Sequence, residues 1–179
     1  RPLPDKFHGV ADVELRRRRR YLELLADPSA VERFKVRSRF VRAIREHLHE
    51  HGFIEIDTPI LTNKATGALA TPFVTRYDAL SLDVYLRIAP ETYLKRAVAA
   101  GFDRVFEVAR CFRNEGIDAS HLPDFTMVEY YAAYWNYHDN MSFTQSMIKR
   151  VVEDTVGSTQ VDYGGRTIDF SGDWVRRSF

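Results

Sequence analysis

A chain of 179 residues is long enough for one domain with its own core. With 45% hydrophobic and 28% charged residues it has the balance of a globular protein, which excludes a disordered tract. A formal net charge of +1 excludes a polyelectrolyte that holds nucleic acid by bulk charge alone.

Residues 1–9 (RPLPDKFHG) carry two prolines and a glycine and read as a connector. Asp12 to Leu25 predicts a short charged helix ended by Asp27-Pro28. It includes five consecutive arginines, Arg16 to Arg20, followed by Arg33, Lys35, Arg37, Arg39, Arg42 and Arg45. Such a run can meet RNA phosphates, but Glu14, Glu23, Glu32 and Glu46 dilute it and favour a solvated helix face. Ser29, with Glu32 three residues on, predicts a capping box for a longer helix. Phe34, Val41, Ile44 and Leu48 form its apolar stripe, and His51-Gly52 stops it.

Phe53, Ile54 and Ile56 predict a strand that Pro59 terminates. Asn63 to Pro72 (NKATGALATP) is a loop of small residues, and two strands follow, around Phe73–Tyr77 and Val84–Ile88. Pro90 to Ala100 predicts a helix with proline in its first turn, where the missing N–H costs nothing. Arg104–Arg110 alternates like a strand, and Phe125–Trp135 is another. Ser142–Val156 predicts a helix turning Phe143, Met147, Val151 or Val152, and Val156 inward. Val161–Phe170 predicts a hairpin around Gly164-Gly165. Strands and helices do not strictly alternate, which points to an α+β fold: a mostly antiparallel sheet flanked by helices. No GxxxxGK[ST] and no GxGxxG occurs, so a P-loop protein is disfavoured.

The sole cysteine, Cys111, rules out an internal disulfide, suits a reducing compartment and cannot anchor a cysteine-based metal site alone. No metal ligands are read from the sequence. No apolar run reaches the ~18–20 residues that span a bilayer, and the N-terminus has no signal-peptide pattern. The expected location is the cytoplasm, without membrane partners.

The chemistry concentrates in Arg110 to Tyr131, RCFRNEGIDASHLPDFTMVEYY. Arg113 offers a planar fork of donors for phosphate or carboxylate. Glu115, two residues on, can accept from an exocyclic amine, and the loop residue His121 can donate to phosphate. Phe125 gives a flat surface for a base, and Glu129 and Tyr131 alternate onto one face of the returning strand. Singly, each has a plain structural reading: an ion pair, a surface histidine, a core phenylalanine. Their order and spacing together carry the case.

FRNE, a gap of five residues, HxxxF, and a glutamate four positions after that Phe resemble motif 2 of the class II aminoacyl-tRNA synthetases. Gly52–Leu61 (GFIEIDTPIL) resembles their motif 1, ending in its proline, Pro59. FHGVADVELRRRRRYLELLAD, FKVRSRFVRAIREHLHEHGFIEIDTPIL, DVYLRIAPETYLKR and FRNEGIDASHLPDFTMVEYY all resemble the class II lysyl-tRNA synthetases, and the likeness covers nearly the whole chain.

That resemblance implies ATP-dependent activation of L-lysine to lysyl-adenylate and transfer to tRNA(Lys). Arg113 would be the catalytic arginine, binding both the α-phosphate and the lysine carboxylate. Glu115, His121 and Phe125 would complete the ATP site, with Mg2+ bridging the phosphates. Lysine would meet Gly67, Glu91, Glu129 and Tyr131; a plain reading of Glu91 is a cap for the helix it begins. Motif 1 implies a homodimer, in which the Phe34 stripe packs either on a second chain or on its own core.

The resemblance also divides the chain into a connector and short helix, 1–28, and the N-terminal part of a catalytic domain, 29–179. A GxGxGxxR-type motif 3 and an anticodon-binding OB-fold domain are expected outside these residues, so the chain alone is expected to be an incomplete catalytic domain. Thr66 and Thr71 stand where lysine enzymes commonly show glycine and arginine. Two other functions stay open: a paralogue that lysylates a protein, and a non-catalytic module that binds ATP or a partner.

Overall fold

The computed structural model describes residues 12–118 and 120–178; the connector expected at residues 1–9 lies outside the described residues. Contacts divide the chain into two units, one from Leu48–Met141 and one from the residues up to His47 together with those from Ser142 onward.

The Leu48–Met141 unit is built on strands β1 (Ile54–Glu55), β2 (Leu61–Thr62), β3 (Val74–Tyr77), β4 (Leu82–Leu86), β5 (Arg104–Phe112) and β6 (Asp124–Ala132). One sheet has the order β1-β5-β6 and the other β2-β4-β3. Every pairing is antiparallel except β1 with β5, which bears out the mostly antiparallel α+β expectation. Helix α4 (Glu91–Ala99) packs against β5 and β6, burying Leu94 completely. As a central strand, β5 does not show the alternation read from its sequence: Val105, Phe106 and Glu107 are all buried in succession. β2 was not expected from the sequence; its two residues are too few for a periodic signal.

The aromatic core of this unit centres on Phe53, whose ring meets Tyr130 and Trp135 edge-on at 5.6 and 5.8 Å. The same unit holds a buried polar network. Arg87, just after β4, pairs with Glu107 at 2.5 Å and donates to the carbonyls of Arg110 (2.8 Å) and Thr58 (3.0 Å). The Thr58 hydroxyl donates to the other oxygen of Glu107 at 2.6 Å. These bonds tie the segment before Pro59 to the middle of β5.

In the other unit the expected first helix is two: α1 (Val13–Arg18) and α2 (Arg20–Ala26), broken at Arg19, whose φ of −130° and ψ of 62° are not helical. Arg17 to Arg20 are exposed, and Arg18 and Arg20 pair with Glu14 and Glu23. Helix α3 (Pro28–Glu50) starts one residue before the expected Ser29 cap. Asp27 accepts from the Ser29 N–H at 2.8 Å, so Asp27 does the capping and Pro28 occupies the first helical position. Of the expected stripe, Ile44 and Leu48 are buried, whereas Phe34 is 53% exposed and Val41 half-buried.

Helix α5 (Tyr137–Val156) begins five residues before the expected Ser142, because Asn136 accepts from the N–H groups of His138 and Asp139. Its buried residues include Phe143, Met147, Val151 and Thr155. Val156 is half exposed rather than inward, since the stripe at spacing four reaches Thr155. Strands β7 (Gln160–Tyr163) and β8 (Arg166–Asp169) form the expected hairpin, with φ of 58° and 76° at Gly164 and Gly165, as a primed turn demands.

Candidate nucleotide and amino-acid site

The β5–β6 hairpin places most of the candidate residues. Its register pairs Cys111 with Phe125, Glu107 with Glu129, and Val105 with Tyr131. Directly opposed residues share a face, and every second residue along a strand does too, so Phe125, Met127, Glu129 and Tyr131 line one face of β6. At a rise of about 3.3 Å per residue, Phe125 and Glu129 stand roughly 13 Å apart along that face.

At one end, Arg113, Glu115, Gly116, Ser120, His121, Leu122 and Phe125 surround a cavity of about 320 Å³. The four residues expected at ATP are therefore neighbours. The Arg113 guanidinium lies over the Phe125 ring at 5.1 Å, and its Nε is buried without a hydrogen-bond partner. The Arg113 N–H donates to the Pro123 carbonyl at 2.8 Å, which closes the base of the loop. Glu115 accepts from the Thr71 N–H at 3.1 Å, and the Asn114 N–H donates to the Thr71 carbonyl at 2.8 Å. The small-residue loop is thus stitched to the hairpin through Thr71, a residue whose role the sequence did not indicate.

His121 is held by Asp118, whose carboxylate lies 2.8 Å from Nδ1. A carboxylate only accepts, so Nδ1 carries the proton of that bond and Nε2 is left to face a ligand. The same carboxylate accepts from the N–H groups of Ser120 and His121, and these bonds lower its pKa, the Ser120 bond most. Asp118 was missed at the sequence level; its spacing of three from a loop histidine was the available signal.

At the other end, an acidic cluster forms. Glu129 accepts from the Tyr131 hydroxyl at 2.9 Å. Desolvation raises the Glu129 pKa, opposed by that bond, with the charges of Glu91 and Glu107 adding to the rise. The Tyr131 hydroxyl is also pushed well above the ordinary tyrosine range, first by burial and then by its bond to Glu129. Glu91 opens α4 and pairs with Lys95 one turn on. Lys95 lies over the Tyr131 ring at 5.9 Å.

Gly67 completes the cluster. Its φ is 92°, and a Cβ there would sit 3.0 Å from the Cβ of Glu91 and 3.1 Å from that of Ala89. Only glycine brings the loop backbone this close to the start of α4. Next to it, the Thr92 hydroxyl donates to that of Thr66 at 3.0 Å.

Cys111 is fully buried on the hairpin, and burial pushes its thiol up to about 11, so it is no nucleophile. Among the described residues no group of three or more His, Cys, Asp or Glu is placed to hold a metal, so no residue is assigned to Mg2+. Among them, too, no helix is long and apolar enough to cross a membrane.

Comparison with known proteins gives the family of the chain. The profile of the tRNA synthetases class II (D, K and N) matches residues 12–179. The chain is 50% identical over 176 residues to a lysine–tRNA ligase of Variovorax paradoxus (strain S110), covering 98% of this chain and 34% of that protein. It is 51% identical over 170 residues to the enzyme so named in Aquifex aeolicus (strain VF5), covering 95% and 28%. For that of Thermotoga maritima (strain ATCC 43589 / DSM 3109 / JCM 10099 / NBRC 100826 / MSB8) the identity is 49% over 176 residues, covering 98% and 35%. The chain spans about a third of the length of the curated relatives it matches.

Proposed function

Since the chain belongs to the class II tRNA synthetases (D, K and N), we propose that it forms part of a lysine–tRNA ligase, contributing the site where ATP and L-lysine react. The observation that carries this reading is the single face of β6. It runs from the Arg113–Phe125 cavity at one end to the Glu91–Glu129–Tyr131 cluster at the other.

In the proposed reaction the lysine carboxylate oxygen attacks the α-phosphorus of ATP. The new O–P bond forms as the bond to the β-phosphate oxygen breaks, and pyrophosphate leaves. Arg113 draws the carboxylate and the α-phosphate together and offsets the charge that grows on the phosphoryl oxygens. Phe125 and Glu115 hold the adenine, and His121, oriented by Asp118 through Nδ1, donates to the phosphates from Nε2 when its ring carries both protons. Glu91 and the Gly67 backbone take the α-ammonium; Glu129 and Tyr131 take the ε-ammonium. A buried cation needs acidic partners, and this cluster supplies them. Magnesium would accompany the phosphates of ATP, and no step here depends on it. Lysine then passes from the adenylate to tRNA(Lys).

The proposed enzyme works in the cytoplasm as a homodimer through the motif 1 segment. Support for the dimer is the exposure of Ile54, Ile60 and Leu61 in that segment and of Phe34 and Phe40 on α3.

Amino-acid-dependent ATP–pyrophosphate exchange tests the reading. Exchange stimulated by lysine and reduced by roughly 10²–10³ in Arg113→Ala is the expected result, the scale of losing a charge-stabilising donor. Stimulation by aspartate or asparagine instead would overturn the amino-acid assignment within the same family.

A further inference from the structure

The acidic cluster already contains a cation. Lys95 reaches back one helical turn to Glu91, and its ammonium stands over the Tyr131 ring, whose hydroxyl donates to Glu129. An i,i+4 glutamate–lysine pair on a helix is usually a surface feature. This one differs, because both of its members face the cluster from α4. Glu91 touches the close approach of Gly67, and Lys95 lies over the ring of Tyr131, which bonds Glu129.

The charges around Glu129 explain why a cation is needed there. Glu91 faces it from α4, Glu107 lies directly opposite on β5, and Tyr131 is beside it on β6. Glu107 is matched by Arg87, whereas Glu91 is paired with Lys95, whose ammonium also stands over the ring of Tyr131, the hydroxyl donor to Glu129. Counting Glu91, Glu129 and Lys95 leaves one unit of negative charge. That remainder suits a single further ammonium, while a second arriving ammonium must compete with Lys95 for Glu91.

Resting on the amino-acid site proposed above, we infer that Lys95 is the resident counter-cation of this cluster. It pairs with Glu91 and lies over the ring whose hydroxyl bonds Glu129 before substrate arrives, and it yields Glu91 to the incoming α-ammonium. It thereby sets lysine affinity without contacting the reacting atoms, as a positioning residue.

Two measurements on wild type, Lys95→Met and Lys95→Arg test this. Lys95 is largely exposed, so the variants are expected to fold. In carbon-detected NMR titration of the free protein, the Glu129 midpoint should rise in Lys95→Met and stay at the wild-type value in Lys95→Arg. By calorimetry, at a pH where the carboxylates are ionised, Lys95→Met should bind L-lysine tighter by a factor of about 2–5, the scale of a partly exposed ion pair. An unmoved Glu129 midpoint, or lysine affinity that is unchanged or weaker, would overturn the inference. A wild type that binds no lysine would instead bring down the amino-acid assignment, and the Glu129 midpoint would still decide whether Lys95 is its counter-cation.

Discussion

Glu129 shows a functional residue working against stability. Burial and the neighbouring Glu91 and Glu107 charges raise its folded pKa above that of the unfolded chain. The folded state therefore binds the proton more tightly, and this group's contribution to stability falls as pH rises between the unfolded and the folded pKa. Above that window the ionised carboxylate is a standing cost. Glu129→Gln should accordingly stabilise the protein at neutral pH by roughly 0.5–1 kcal/mol, seen as a higher thermal midpoint, while weakening lysine binding. Cys111 makes the opposite kind of case. With its thiol pushed up to about 11 and its side chain buried, it should resist alkylation at neutral pH until the protein unfolds. Mass spectrometry after a timed iodoacetamide pulse, with and without urea, checks that. Both residues could be picked out in the sequence, but neither environment could, because each depends on partners more than three residues away.

Among the elements, the Arg87–Glu107–Thr58 network is what fixes the segment before Pro59 and the end of β4 against β5. Arg87 is 5% and Glu107 2% exposed, so removing one partner strands a buried charge. Arg87→Ala should cost about 3–5 kcal/mol in urea denaturation, and Arg87→Met with Glu107→Leu should recover much of that loss. Gly67 positions the other side of the site. Gly67→Ala would place a methyl 3.0 Å from the Glu91 Cβ at a φ of 92°, so either the loop or the first turn of α4 must move. A stability loss of about 1–2 kcal/mol, with a larger proportional loss of lysine affinity, is expected from denaturation and calorimetry. The sequence indicated both strands of the hairpin and the small-residue loop. It did not indicate that Thr71 joins them, because Thr71 contributes only its backbone N–H and carbonyl, groups common to almost every residue.

For the whole molecule, the homodimer proposal makes its own prediction. Sedimentation velocity should show a dimer, and Leu61→Asp, which places a charge on a half-exposed apolar position, should shift it toward monomer by at least about tenfold in dissociation constant. A monomeric wild type would remove the dimer from the proposal and leave the site as it is. The linear sequence was sufficient for the α+β class, the stop at His51-Gly52, the Gly164-Gly165 hairpin and the spacing of Arg113, Glu115, His121, Phe125 and Glu129. Those features are set by periodicity, by backbone preferences and by residue order, all of which are local. Only the tertiary structure decided that Glu107 stands opposite Glu129, that Arg87 neutralises one and Lys95 faces the other, and that Gly67 closes on α4. Such charges and close approaches follow from strand register and helix packing, which bring together residues tens of positions apart in the chain.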